Sequence, residues 1–131
     1  MATHNSLFRE TDVHRHPDGL SVSIQLPWYR SLWLSAVDDV TATVDGVAIP
    51  RERLRFELAG RSYPIEELPE QWDTLWFLQD RADVVIPLDR APKAGEPVNV
   101  EVVLTLRLLY MQIAPQRYVG NRVQVQREVV L

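Results

Sequence analysis

The chain has 131 residues, 46% hydrophobic and 24% charged, a globular composition with enough apolar side chain for one core. A net charge of −4 offers no footing for nucleic acid or an anionic membrane surface. With no cysteine, disulfides, thiolate metal sites and cysteine nucleophiles are excluded.

Residues 1–6 lack a basic stretch followed by an apolar run, and no apolar run approaches the ~18–20 residues that span a bilayer, so a soluble cytoplasmic protein is expected. Nine prolines and five glycines divide the chain into short segments rich in Val, Leu, Ile, Thr and aromatics. That punctuation predicts an all-β chain, an antiparallel β-sandwich in a single domain over 1–131.

In chain order, residues 1–11 read as a loose arm or an edge strand, and 13–19 as a turn, giving a loose N-terminal arm over 1–19. His14 and His16 have the spacing of a two-histidine metal clamp if they lie on a strand, and His4 could join them. The commoner reading is a solvated loop before Pro17. Residues 20–26 alternate cleanly, with Leu20, Val22, Ile24 and Leu26 facing inward, and Pro27 ends the strand.

The stretch 28–35 carries Trp28, Tyr29, Arg30 and Trp33, a composition common at protein interfaces and in sugar-binding grooves, or else in a loop whose rings cover the core. Residues 36–44 form the next strand, and Asp45-Gly46 signals a two-residue hairpin turn back into 47–49. Asp38 and Asp39 could bind a metal or share a proton, but read first as a solvated edge. Residues 54–58 and 61–63 pair around Ala59-Gly60. A short helical turn over 64–68 follows, with Pro64 at its first position and Pro69 ending it, which gives Glu66, Glu67 and Glu70 a structural explanation.

Residues 74–78 read as a strand that sets Trp72 and Trp76 on one face, either as core or as a sugar-stacking platform. Residues 83–88 form a short buried strand, and 89–97 an exposed connection. The longest strand signal is 98–111: Val98, Val100, Val102, Leu104 and Leu106 share one face, and the opposite face turns apolar by Leu109 and Met111. Something must cover that end, either this chain or another. Residues 112–121 read as a loop around Arg117 and Tyr118. Residues 122–131 alternate as an edge strand, with Val123, Val125 and Val129 inward.

No phosphate loop, dinucleotide fingerprint, G-x-S-x-G or H-E-x-x-H occurs, and all three histidines fall within the first sixteen residues. A self-contained hydrolase is not expected. A two-carboxylate glycosidase is compatible with the residue inventory, but nothing selects a pair.

Tyr29-Arg-Ser-Leu-Trp-Leu-Ser35 is followed by Val37-Asp-Asp-Val40, Thr43-Val-Asp-Gly46, Phe56-Glu-Leu-Ala-Gly60, Tyr63-Pro-Ile-Glu-Glu-Leu68 and Trp76-Phe77. In order and spacing this resembles the small β subunit of bacterial C-glycoside deglycosidases, over roughly residues 29–110. The resemblance implies a β-sandwich that assembles with a larger α subunit, itself similar to sugar-isomerase barrels. That partner would carry a divalent metal, Mn²⁺, and the acid–base residues, and would cleave the C–C bond between a 3-oxo sugar and an aromatic aglycone such as a flavone. This chain would then hold no catalytic residue, no metal ligand and no cofactor. Tyr29, Arg30, Trp33, Gln112, Arg117 and Tyr118 are expected at the subunit boundary or beside substrate. Trp33 stands where the family pattern suggests proline or another smaller residue, so a local backbone difference is expected. The alternative function is a free-standing carbohydrate-binding module using Trp72 and Trp76. A third is a small ligand-binding or self-associating sandwich.

Overall fold

The computed structural model describes residues 7–27, 30–90, 92–114 and 117–131, with 108–121 described by backbone alone. Alternating burial builds every long strand. β1 (Val13–His16), β2 (Gly19–Gln25), β9 (Arg81–Pro87), β6 (Arg55–Leu58) and β7 (Arg61–Pro64) form one antiparallel sheet in that order. β11 (Arg117–Val130), β10 (Pro97–Ala114), β4 (Val37–Val44) and β5 (Val47–Ala48) form the second. A third, two-stranded ribbon pairs β3 (Leu32–Trp33) with β8 (Leu75–Trp76). The fold is all-β, and helical structure among the described residues is confined to short 3₁₀ turns.

Inward residues of both large sheets enclose one core: Leu20, Val22 and Ile24 from β2, Val84 and Ile86 from β9, Val100, Val102 and Leu104 from β10. Val98, Leu106, Val123, Val125 and Val129 are buried as the period-2 reading predicts. β10 lies between β4 and β11, and β11 is one edge, with β5 the other.

The turn residues do what their chemistry allows. Asp45 and Gly46 both take positive φ, 51° and 81°, which a two-residue hairpin matched to the strand twist requires. Gly19 serves a different need. A Cβ there would run into the Ile86 carbonyl oxygen and come within 2.6 Å of the Leu88 nitrogen, so only glycine lets β2 enter beside β9.

Several expectations change. From Leu7 onward the N-terminal arm is not loose. Leu7 and Phe8 are fully buried, and the Gln25 amide donates to the Leu7 carbonyl at 2.8 Å. Two apolar side chains in an otherwise polar stretch suffice to anchor it. Arg81 then clamps Asp12 of the following 3₁₀ turn at 3.1 Å. Residues 13–16 form β1, and only Pro17-Asp18 turn.

The short helical turn is 3₁₀, spans Ile65–Glu70 and continues through Pro69. Proline's fixed φ suits a 3₁₀ turn, and its clash with the preceding α-helical turn does not arise there. Most consequentially, 112–114 and 117–121 are strand and not loop. β10 and β11 stay paired through Leu108↔Val119, Gln112↔Tyr118 and Ala114↔Arg117, with register shifts after Leu108 and after Gln112.

Candidate interaction face

β10 pairs with β4 only as far as Leu106↔Val37. Past that point its described pairing is with β11 alone, so 107–114 and the facing start of β11 form a two-stranded arm. Gln112, Arg117 and Tyr118 all fall on this arm. Gln112 is the register partner of Tyr118, and Arg117 that of Ala114. Their side chains, and the whole of Tyr29, lie outside the described residues.

The β3–β8 ribbon lies near the arm's root. Beyond its two register pairs, the Leu34 amide donates to the Thr74 carbonyl at 2.7 Å and the Ser35 amide to the Gln71 carbonyl at 3.1 Å. The Leu78 amide donates to Ser31 Oγ at 2.7 Å. Alternation splits the ribbon. Leu32 and Trp76 point inward, and Trp76 is fully buried, edge-on to Phe56 at 5.4 Å and donating from Nε1 to the Asp80 carbonyl at 2.9 Å. The outward residues stay uncovered: Trp33 is 51% exposed, Trp72 64% and Phe77 47%. Trp33 on the ribbon and Trp72 and Phe77 on either side of β8 are three bulky exposed aromatics close in sequence to one short ribbon, not the scattered exposed aliphatics of an ordinary surface.

Trp72 and Trp76 do not share a face as the alternation suggested: the core reading holds for Trp76 and not for Trp72. Trp72 precedes β8 outside the strand, while Trp76 belongs to the core. Arg30 is exposed beside the ribbon. At Trp33 φ is −63° and ψ 142°, close to the φ that a proline ring would fix, so the backbone can carry either residue.

Sequence reasoning missed the residue that joins ribbon to arm. Arg107 donates from Nη2 to the Ser35 carbonyl at 3.1 Å, holding the 3₁₀ turn Leu34–Ala36 against β10. A lone arginine between Leu106 and Leu108 in a strand turning apolar was the available signal.

The other candidate chemistry has structural occupations. Asp39 pairs with Arg51 at 3.0 Å and accepts from the Val40 amide. Asp38 sits at the register shift between β4 and β10. His14 is exposed, and His16 accepts from the Asp18 amide at 3.1 Å through Nδ1. Among the described residues no three His, Asp or Glu side chains gather where they could hold a metal ion. No described helix is long and apolar enough to cross a membrane. At the opposite end of the sandwich, an open cleft of about 600 Å³ lies between the β4–β5 turn and the β9–β10 connection. Its walls include Val44, Ile49, Leu88 and Val98, and the Arg53–Asp89 pair at 3.3 Å lies at its edge.

An all-β sandwich that completes its core yet leaves aromatic rings uncovered at one end has the build of a protein with an assembly face. Sequence comparison gives that class a family. The model of the C-glycoside deglycosidase beta subunit matches residues 2–110, and the chain belongs to that family. The match takes in the N-terminal segment, which the motif resemblance did not reach, and stops where the arm begins to diverge in register.

The chain is 75% identical to a C-glycoside deglycosidase beta subunit of Arthrobacter globiformis, over 100% of this chain and 99% of that one. It is 35% identical to a 3'-dehydrocarminate deglycosidase beta subunit of a Microbacterium species, covering 73% of this chain and 71% of the relative. A C-glycoside deglycosidase beta subunit of Microbacterium trichothecenolyticum is 36% identical over 72% of this chain and 70% of its own length.

Proposed function

We propose that this chain is the accessory subunit of a heteromeric C-glycoside deglycosidase, a carbon–carbon lyase acting in the cytoplasm on 3-oxo-C-glycosides of aromatic aglycones such as flavones. The observation that carries the assembly role is the exposure of Trp33 on the ribbon and of Trp72 and Phe77 flanking it, together with a strand arm that pairs with no other part of the described chain. The full-length likeness to a named beta subunit supports the enzyme assignment.

The chemistry asks for a base at the sugar C2 and donors or a cation at the developing enolate. A 3-keto group acidifies the C2 hydrogen. Removal of that proton gives the enolate. The aglycone carbon then leaves C1 with the bonding pair and is protonated. The described residues of this chain offer no cluster fit for a metal. The divalent ion, Mn²⁺, and the acid–base groups are assigned to a larger α subunit with a sugar-isomerase-like barrel. This chain's contribution is to cover and hold that partner, with Arg30, Trp33 and the arm residues Gln112, Arg117 and Tyr118 at the boundary and Tyr29 beside them.

The test is co-expression with a neighbouring isomerase-like reading frame, followed by an assay of aglycone release from a 3-oxo-C-glucoside. Release is expected when both polypeptides are present and not from this chain alone. A well-behaved monomer that releases aglycone unaided would overturn the assignment.

A further inference from the structure

Four strands form the edges of the two large sheets, and three of them are blunted. β1 and β7 have four residues each and β5 two, and β7 finishes on Pro64. Short length and proline are common protections of an open sheet edge. β11 has neither. It runs 14 residues with no proline and no lysine, and among the described residues it pairs with β10 alone.

The register shows which backbone groups that edge presents. The Asn99 carbonyl accepts from the Asp45 amide and the Asn99 amide donates to Asp45 Oδ1, so Asn99 turns its backbone toward β4. Val98, Val100, Val102 and Leu104 alternate with it and turn theirs toward β11, opposite Val129, Arg127, Val125 and Val123. The N–H and C=O groups of Arg122, Gln124, Gln126 and Glu128 therefore point away from the sheet. Their side chains are exposed as well.

These residues are complementary to themselves. An identical antiparallel strand can bond to this edge only where outward groups meet outward groups, which puts a two-fold axis on one residue of the strand. An axis at Val125 sets Gln124 against Gln126 of the second copy, and Arg122 against its Glu128. No other axis brings Arg122 opposite Glu128, and an axis at Glu128 itself would set two carboxylates face to face. Arg122 donates to Gln124 Oε1 at 3.1 Å and keeps further donors, and Glu128 makes no hydrogen bond or ion pair among the described residues.

We propose that β11 is a homodimer seam, along which two copies of this chain join antiparallel about Val125 into one continuous sheet, with an Arg122–Glu128 pair on each side of the axis. The pairing spans residues 120–130. It goes beyond the accessory-subunit reading and does not depend on it.

The chain has no native cysteine, so introduced cysteines report the register cleanly. Gln124→Cys and Gln126→Cys are made separately in the full chain and oxidised alone and mixed. Across the seam, positions 124 and 126 of opposite copies have Cα atoms about 5.5 Å apart, within disulfide reach. Like positions lie diagonally at about 7–8 Å, outside it. A cross-linked dimer is expected from the mixture and from neither variant alone, with or without the α subunit. Sedimentation of the wild-type chain should show a dimer. Arg122→Glu and Glu128→Arg should each weaken it about tenfold or more, and the double variant should restore it.

No cross-link in the mixture would overturn the seam, whatever sedimentation shows. Variants that cross-link alone as readily as mixed would overturn the register, and a double variant as weak as the single ones would reject the charge pair that selects it. A cross-link lost on adding the α subunit would name a strand of that partner as the occupant, overturning the homodimer and leaving the heteromeric assignment intact. An α subunit that fails to bind the wild-type chain, with the cross-link formed, sinks the accessory-subunit reading alone and supports the seam.

Discussion

The two ends of the sandwich are finished differently. At the end that carries Gly19, the Asp45-Gly46 turn and the β9–β10 connection, the chain satisfies itself. The Asp45 amide donates to the Asn99 carbonyl at 2.8 Å, and Asp45 Oδ1 accepts from the Asn99 amide at 2.9 Å. The Leu88 amide donates to Asp18, and the Gly95 amide to Leu131, the last residue. Val47 and Val130 are exposed there, but singly and as aliphatics. At the other end, Trp33, Trp72 and Phe77 stand in solvent, Ser35 Oγ and Arg107 Nε lack partners, and the arm continues past its sheet. Among the described residues, backbone and side-chain hydrogen bonds tie the first end together, while Ser35 Oγ and Arg107 Nε at the other are buried without one. The difference is one of finish: the large apolar residues exposed at one end are single aliphatics, and at the other they include aromatic rings.

That contrast can be broken or sharpened by mutation. Trp76→Ala should be the most damaging change, because it empties a fully buried ring site under the ribbon and orphans the Asp80 carbonyl. A loss of about 3–5 kcal/mol in chemical denaturation is expected. Gly19→Ala should come next, at about 3 kcal/mol, since the added carbon meets backbone atoms of Ile86 and Leu88 that cannot swing aside. Both probe folding. If either left the denaturation midpoint unmoved, the packing described for that end would be wrong.

Trp33→Ser probes assembly instead. It should leave the isolated chain's stability within about 0.5 kcal/mol and weaken the complex by about 2 kcal/mol, as removing an aromatic anchor from an interface does. Equal affinity for the α subunit by calorimetry would remove the ribbon from the interface. Asp45→Ala at the closed end should cost about 1–2 kcal/mol, from a lost acceptor for Asn99 and an alanine forced to positive φ. It should not affect assembly. The smallest effect is a gain. Ala59 already sits at φ 53°, so Ala59→Gly should relieve strain and raise stability by about 0.5 kcal/mol in thermal unfolding.

Much of the fold was legible in the residues. The alternation over Val98–Leu106 and over Val123, Val125 and Val129 marked faces that are indeed buried, and Asp45-Gly46 marked its own turn. The errors share a cause. Val13–His16 is a strand because β2 lies beside it, with Val13 opposite Val22, although its polar residues suggested a turn. Residues 112–114 and 117–121 extend the ladder although 112–121 read as a loop around Arg117 and Tyr118. Pairing partners distant in sequence overrode local composition in both cases. Trp72 and Trp76 parted for a related reason: a two-residue strand fixes alternation only within itself.

Arg30 and Trp33, singled out by aromatic and arginine content, are both exposed. Arg107 stood out in the sequence only as a lone cation in an apolar strand, and its bond to the Ser35 carbonyl joins residues 72 positions apart. The sequence by itself determined the family, the all-β class and which face of each long strand is buried, since period-2 hydrophobicity and turn chemistry are local and survive without the fold. Tertiary structure alone decided which aromatics remain uncovered, that two apolar residues anchor the N-terminal segment, and that Arg107 ties the Leu34–Ala36 turn to β10. Those properties belong to distances between residues far apart in the chain, and no local pattern encodes them.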